Sequence, residues 1–215
     1  MRDVTTFLHP HDRVLLTGDS VTDWGRDRED PTSLGHGYAA VVAALAGARR
    51  PDLDLTFLNR GVGGDTSAML RARWERDALA LEPTVVSVLI GINDTWRRYD
   101  SGAPTSTAAY EENLRAMLDA TRERLDARLV LVEPFLVPVD DAQHAWREDL
   151  DPRIAVVRRL AAEHRAVLVP ADGLFAAAAS RTGPAHWVSD GVHPTPAGFG
   201  LLAEAWLEAV GVHAR

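Results

Sequence analysis

The chain contains no cysteine, which removes disulfides, thiolate nucleophiles and cysteine-ligated zinc together. It has no basic excess either. A formal net charge of −8 and a pI near 5.4 leave no positive stripe to neutralise phosphates, so a nucleic-acid partner is not expected. The arginine-rich stretches (Arg71, Arg73, Arg76; Arg97, Arg98; Arg158, Arg159) alternate with acids or apolar residues and read as solvated helix faces or loop contacts. Long hydrophobic runs are missing: the most apolar stretch, Leu129–Val139, is interrupted by Glu133, Pro134 and Pro138 and falls far short of a membrane span. The segment Met1–Arg13 carries Asp3, His9, His11 and Asp12 and no apolar core of signal-peptide length. A soluble, cytoplasmic protein without a membrane partner is the expectation. His9 and His11 lack a third ligand, so neither a metal nor another cofactor is expected. With no repeat, low-complexity segment or break in composition, residues 1–215 are expected to form one domain.

What is present is an alternation of short apolar runs with longer helical patterns. Strands are expected at Arg13–Gly18, Leu53–Asn59, Thr84–Gly91, Arg128–Pro134 and Ala166–Pro170. Several are almost continuously apolar, as parallel strands covered on both faces should be. Helices are expected at about Gly37–Ala46, Thr66–Leu81, Ser106–Asp126, Asp149–Arg165, Leu174–Ser180 and Pro196–Val210. Thr66 or Ser67 can cap the second, Pro152 is tolerated only near the start of the fourth, and Thr195 can cap the last with Pro196 in its first turn. Repeating strand–helix units predict an α/β fold: a three-layer α/β/α sandwich around a parallel sheet of about five strands. Ligand sites in such sheets form at the carboxyl ends of the strands. Ser20, Gly64 and Asn93 each follow a strand and so share that edge.

Four segments carry chemistry. Gly18-Asp19-Ser20-Val21 places a serine where a strand runs out. A serine hydroxyl is a poor nucleophile unless a base takes its proton and a carboxylate steadies that base. Asp190-Gly191-Val192-His193 offers both, three residues apart, a spacing that lets the two side chains leave one face of a tight turn. Pro194 restricts His193 to extended backbone. Asn59–Thr66 (NRGVGGDT) and Gly91–Asp94 (GIND) lie between them. Gly64 could donate a backbone N–H to a developing oxyanion, Asn93 its side-chain amide, and Ser20 its own N–H. Taken singly, each has a plainer reading as a turn serine, an Asx turn or a strand–helix glycine. Four together, at the ends of separate elements, assemble an acyl-transfer site. The Gly-x-Ser-x-Gly elbow of α/β-hydrolases is missing, Gly61-Val62-Gly63 lacks the remaining glycine of a dinucleotide fingerprint, and there is no Walker loop.

In this order the four segments resemble the four blocks of the SGNH hydrolases, also called the GDSL esterase/lipase family. The resemblance covers most of the chain and implies a flavodoxin-like sheet, with Ser20 as nucleophile, Gly64 and Asn93 in the oxyanion hole and Asp190 and His193 completing the triad. The wider pattern of Gly18–Asp23, Ala72-Arg73-Trp74 and Gly91–Asp100 (GINDTWRRYD) is similar to bacterial acetyl-xylooligosaccharide esterases, which implies a small acetylated sugar as substrate and allows a homo-oligomer. One departure is Asp65, where many members have asparagine after the oxyanion glycine.

Trp96, Tyr99 and Trp187 neighbour Asn93 or Asp190 in sequence and are candidates to line the mouth and stack on a sugar. The segment Trp96–Asp100 reads as a polar loop better suited to a hydrated substrate than to a long acyl chain. The main expectation is a carbohydrate O-deacetylase working through an acyl-enzyme on Ser20. The alternatives are a thioesterase or lysophospholipase using the same residues, and a non-catalytic binding module, which loss of Ser20, Asn93 or His193 would have favoured.

Overall fold

The computed structural model describes residues 7–214; the reading of Met1–Arg13 therefore falls partly on residues 1–6, outside the described residues. The chain opens with β1 (Arg13–Gly18), α1 (Ser20–Asp23), α2 (Tyr38–Arg49) and β2 (Thr56–Asn59), then α3 (Ser67–Ala72), α4 (Trp74–Asp77) and β3 (Val85–Leu89). It continues through α5 (Ile92–Asp100), α6 (Thr107–Leu125), β4 (Arg128–Val132), α7 (Asp141–His144), α8 (Arg147–Glu163), β5 (Val167–Val169), α9 (Ala171–Thr182) and α10 (Pro196–Ala209). The five strands are all parallel in the order β2-β1-β3-β4-β5.

Period-two geometry explains why these strands are apolar throughout. Val14 and Leu16 of β1, Val85 and Leu89 of β3, and Val130 and Val132 of β4 join one buried cluster with α2, α9 and α10. Their alternates Leu15, Val86, Val88, Leu129 and Leu131 join another, with Trp74, Tyr110, Leu114, Met117 and Leu160 from α4, α6 and α8. Each fully buried aliphatic side chain contributes about 1.5–3 kcal/mol, so both layers are held by the sheet between them. The one polar residue within β3, Ser87, is buried and accepts a hydrogen bond at 2.9 Å from Trp206 Nε1 of α10, which satisfies both groups.

The strand order reverses at β1: the chain leaves it for β2 on one side and returns to β3 on the other. The crevice that this reversal opens lies between the carboxyl ends of β1 and β3. Gly18 ends β1 there with φ +153°, and a Cβ on it would stand 1.9 Å from the carbonyl oxygen of Leu89 in β3, so only glycine fits.

Several boundaries differ from expectation. Leu53 belongs to a short 3₁₀ turn (Pro51–Leu53), because Pro51 starts that turn and Asp54 follows in left-handed conformation. The expected helix 66–81 is interrupted at Arg73, whose guanidinium is pulled into tertiary hydrogen bonds; Thr66 does cap its start, accepting from Met69 N–H. Helix α8 begins at Arg147, so Pro152 sits in its second turn and its missing N–H leaves the Glu148 carbonyl without a helical partner. Trp96–Asp100 is not a loop but the end of helix α5. Asp94 in its first turn and Arg97 and Arg98 in its last suit the helix dipole. No helix among the described residues is long and apolar enough to cross a membrane.

Candidate active site

The geometry of the last segment is largely local. Val188 pairs with Pro194 in an isolated antiparallel bridge, and Ser189 N–H donates to the His193 carbonyl at 2.9 Å. The turn between them is tied by Asp190 itself: Oδ1 accepts from the N–H groups of Val192 (3.0 Å) and His193 (2.8 Å), leaving Oδ2 for the imidazole Nδ1 at 2.6 Å. Burial alone would raise the Asp190 carboxyl, but these hydrogen bonds outweigh it and hold it below the ordinary carboxylate value. With Nδ1–H donated to Asp190, the His193 Nε2 lone pair faces Ser20, whose hydroxyl lies 2.8 Å away. Ser20, His193 and Asp190 thus form one hydrogen-bonded chain across the crevice.

Ser20 stands in the first turn of α1. Asp19 caps that turn, accepting from Val21 N–H at 3.1 Å, and is fully buried. Burial, reinforced by the carboxylates of Asp94 and Asp65 against the Val21 hydrogen bond, raises its pKa to about 7.

The second segment is stitched to the first. Asn59 Nδ2 donates to the Thr22 carbonyl (2.6 Å) while its Oδ1 accepts from Gly61 N–H (2.8 Å). Val62 N–H donates to the Gly18 carbonyl, and Gly63 N–H to Asp23 Oδ2 at 2.8 Å. Gly64, at φ +84°, is left with an N–H that has no acceptor among the described residues. Asn93, in the first turn of α5, spends one amide hydrogen on the Asp65 carbonyl (3.1 Å), which fixes the amide and leaves its other hydrogen to spare. Asp65, the departure from the usual asparagine, forms a mostly buried ion pair with Arg73 Nε at 2.6 Å. Arg73 in turn donates to the carbonyls of Arg60 (2.7 Å) and Gly18 (3.0 Å), binding the second segment to the end of β1.

The aromatic residues divide. Trp96 lies with its ring centroid 6.0 Å from that of His193, but it packs into a satellite cluster with Trp146, as does Tyr99, whose hydroxyl donates to the Ala145 carbonyl. Trp187 packs against the main core, donates to Thr182 and meets His186 edge-on. The ring nearest His193 is instead Trp24, at 5.4 Å, and Phe199 packs against the far ring of that pair, 5.4 Å from Trp24. Trp24 and Phe199, with His36, Val41 and Pro196, line a largely apolar cavity of about 530 Å³ beside the histidine. Trp24, four residues after Ser20, escaped sequence reasoning, although an aromatic residue so close to a strand-end serine was a usable signal. Gln143 escaped it with no local signal at all: its Nε2 donates to the Asp190 carbonyl at 2.7 Å and its Oε1 accepts from Val139 N–H. No cluster of three histidine, aspartate or glutamate side chains among the described residues is placed to hold a metal ion.

A strand-end serine, a carboxylate-backed imidazole and amide donors at the switch point of a flavodoxin-like sheet define a serine hydrolase. Residues 16–201 match the GDSL-like lipase/acylhydrolase family, and the chain belongs to it; it is a carboxylic ester hydrolase of the kind that uses a Ser-His-Asp triad. It is 35% identical over 208 residues to the acetylxylan esterase of Geobacillus stearothermophilus, covering 93% of this chain and 94% of that one. The crystal structure of Axe2, an acetylxylan esterase from the same organism, superposes with a TM-score of 0.89 at 34% identity, covering 97% of this chain and 99% of Axe2. LAE5, a hydrolase from the metagenome of Lake Arreo, superposes with a TM-score of 0.91 at 30% identity, covering 98% and 100%.

Proposed function

We propose that this protein is an esterase that removes acetyl groups from short carbohydrates, with O-acetylated xylo-oligosaccharides as the model substrate, and that one domain spanning residues 1–215 does so in the cytoplasm. The observation that carries it is the Ser20–His193–Asp190 hydrogen-bonded chain at the sheet edge where Gly64 keeps an unspent N–H and Asn93 an unspent amide hydrogen.

Each group has a defined task. Ser20 Oγ attacks the ester carbonyl carbon as His193 Nε2 takes its proton, and the imidazolium is steadied by Asp190, which stays ionised. The carbonyl oxygen becomes an oxyanion, met by the N–H groups of Ser20 and Gly64 and the Asn93 amide. These donors are fixed before the reaction, so they need no reorganisation as charge develops. Collapse expels the sugar hydroxyl, protonated by His193, and leaves an acetyl-Ser20 ester. Water, deprotonated by His193, attacks it next; acetate leaves as the imidazolium returns a proton to Ser20 Oγ. No metal or other cofactor takes part.

The Geobacillus relatives, which are acetylxylan esterases, support the acetyl and carbohydrate assignment. A sugar ring would rest on the Trp24 and Phe199 wall, with Trp96 also beside His193; Tyr99 and Trp187 have the weaker claim. A homo-oligomer is compatible with this assignment. One observation favours the thioesterase or lysophospholipase alternative: the cavity beside His193 is apolar enough to hold an acyl chain. A series of p-nitrophenyl esters decides between them. Turnover should fall steeply from acetyl to butyryl and vanish at octanoyl, because a methyl-sized acyl site gains nothing from further methylenes. In an apolar groove each would contribute about 0.8 kcal/mol, and a preference for octanoyl would assign the cavity to acyl chains.

A further inference from the structure

Beside the site, across Gly63 from Ser20, lies a second open pocket of about 590 Å³, lined by Arg26, Arg28, Arg60, Arg73 and Arg76. The acids on its wall are Glu29 and Asp77. Five guanidinium groups in one pocket run against the character of a chain with a net charge of −8.

Part of that charge is answered from within. Arg28 pairs with Asp23, Arg73 bridges Asp65 and Asp77, and Arg76 grips Asp77 through Nε (2.7 Å) and Nη2 (2.9 Å). Arg60 is different: its Nη1 donates to the backbone carbonyls of Pro31 (3.2 Å) and Asn59 (2.7 Å), and it has no carboxylate partner among the described residues. Arg26 is the other exception. Its side chain is 7% exposed, yet its Nε has no hydrogen-bond partner and stands 3.5 Å from an Asp23 Oδ1 that is also unbonded. Burial pushes the Arg26 guanidinium below its ordinary value; Asp23 opposes this, while the like charges of Arg60, Arg28 and Arg73 add to it. Of the five, Arg60 alone has no carboxylate at ion-pair distance among the described residues, which leaves a place for one anion. Guanidinium groups grip a carboxylate's two oxygens through paired N–H bonds.

The pocket is also close to the chemistry. A Cβ placed on Gly63 would stand 3.5 Å from Asp23 Oδ2, 3.8 Å from Ser20 Cβ and 4.0 Å from Arg28 Nη2, so the Asp23–Arg28 pair at the rim of the pocket lies one glycine away from the serine. Arg26 Nη2 donates to the Gly61 carbonyl of the same loop at 3.0 Å. We propose that this pocket is a subsite for a carboxylate carried on the alcohol portion of the ester, so that acidic sugar esters, those bearing a uronic acid, are preferred over neutral ones. This rests on the esterase assignment above in that Ser20 must be the nucleophile.

The experiment compares kcat/KM for phenyl acetate and for its carboxylated analogues 3- and 4-acetoxybenzoate, in the wild type and in Arg60→Gln and Arg28→Gln. The acidic-to-neutral ratio should fall about tenfold in each variant, as expected for the loss of a charge-assisted hydrogen bond. In the wild type it should fall with added salt. Because the ratio is taken within one preparation, partial unfolding of Arg60→Gln does not move it, and Arg28→Gln decides if Arg60→Gln cannot be purified. A ratio unchanged by substitution and by salt overturns the subsite while leaving the esterase intact. If phenyl acetate is not hydrolysed at all, the esterase assignment has failed. The subsite is then judged by calorimetric titration with glucuronate: binding lost in the variants supports it, and no binding to the wild type overturns it.

Discussion

The two sides of the crevice are built in opposite ways. The Asp190–His193 turn is partly exposed and largely self-tied: its carboxylate bonds to two N–H groups and an imidazole within three residues. The oxyanion side is held from beneath by buried polar groups brought together from distant parts of the chain. Asp94, fully buried, accepts from the N–H (2.8 Å) and hydroxyl (2.6 Å) of Ser67, whose hydroxyl also accepts from Asn113 Nδ2. Arg153, also fully buried, holds Asp149 Oδ2 at 2.6 Å and the Thr105 carbonyl and stands over the Tyr110 ring. A local turn can lose a side chain and remain folded. A buried network loses more stability, since the surviving partners are left unsatisfied.

The largest expected effect sharpens one side alone. Ser20→Ala should lose nearly all hydrolysis of p-nitrophenyl acetate, roughly 10⁴-fold or more, with a melting temperature close to wild type. Wild-type-like turnover by the folded variant would end the nucleophile assignment. Asn93→Ala should lower kcat by about 10²–10³ with little rise in KM, since an oxyanion donor acts chiefly in the transition state. A change confined to KM would make Asn93 a positioning residue instead.

The third prediction breaks the comparison if it fails. His193→Ala should abolish activity while shifting stability by no more than about 0.5 kcal/mol, whereas Asp94→Ala should cost on the order of 1–3 kcal/mol in urea unfolding. Equal stability losses would mean that the two sides are not built differently.

The smallest effect concerns Asp19. Its carboxyl is raised to about 7 in the folded protein, above an unfolded value of 3.8. The folded state therefore holds the proton more tightly, and stability declines as pH climbs from about 4 to 7, with no further loss above that. Asp19→Asn keeps an acceptor for the Val21 N–H and removes the titration. Its stability relative to wild type should rise between pH 4 and pH 8, measured by urea unfolding; a flat difference would exclude a raised pKa.

Much of this was legible because it is periodic or local. The strands announced themselves as apolar runs, and the Asp190–His193 spacing of three implied one turn. Helix α5 was missed because GINDTWRRYD has little apolar content; its stability comes from Ile92, Trp96 and Tyr99 packing into a satellite cluster that only the tertiary fold creates. The break at Arg73 was hidden for the same reason, since its partners Arg60 and Gly18 lie 13 and 55 residues away. Trp187 neighbours Asp190 in sequence, but adjacency does not decide which way a ring turns, and this one packs on Thr182 and His186. Buried polar networks leave no periodic trace, so the bonds that Asp94, Ser67, Arg153 and Gln143 make emerge only from the structure.

The hydrogen bond between Ser20 and His193 joins residues 173 apart in the chain. On a ribosome adding about 5–20 residues per second, the serine is made roughly 9–35 s before the histidine that would activate it. Through that interval the nascent chain carries an unactivated hydroxyl. Hydrolytic competence cannot precede His193, so a fragment released before that residue is added carries the serine without its base.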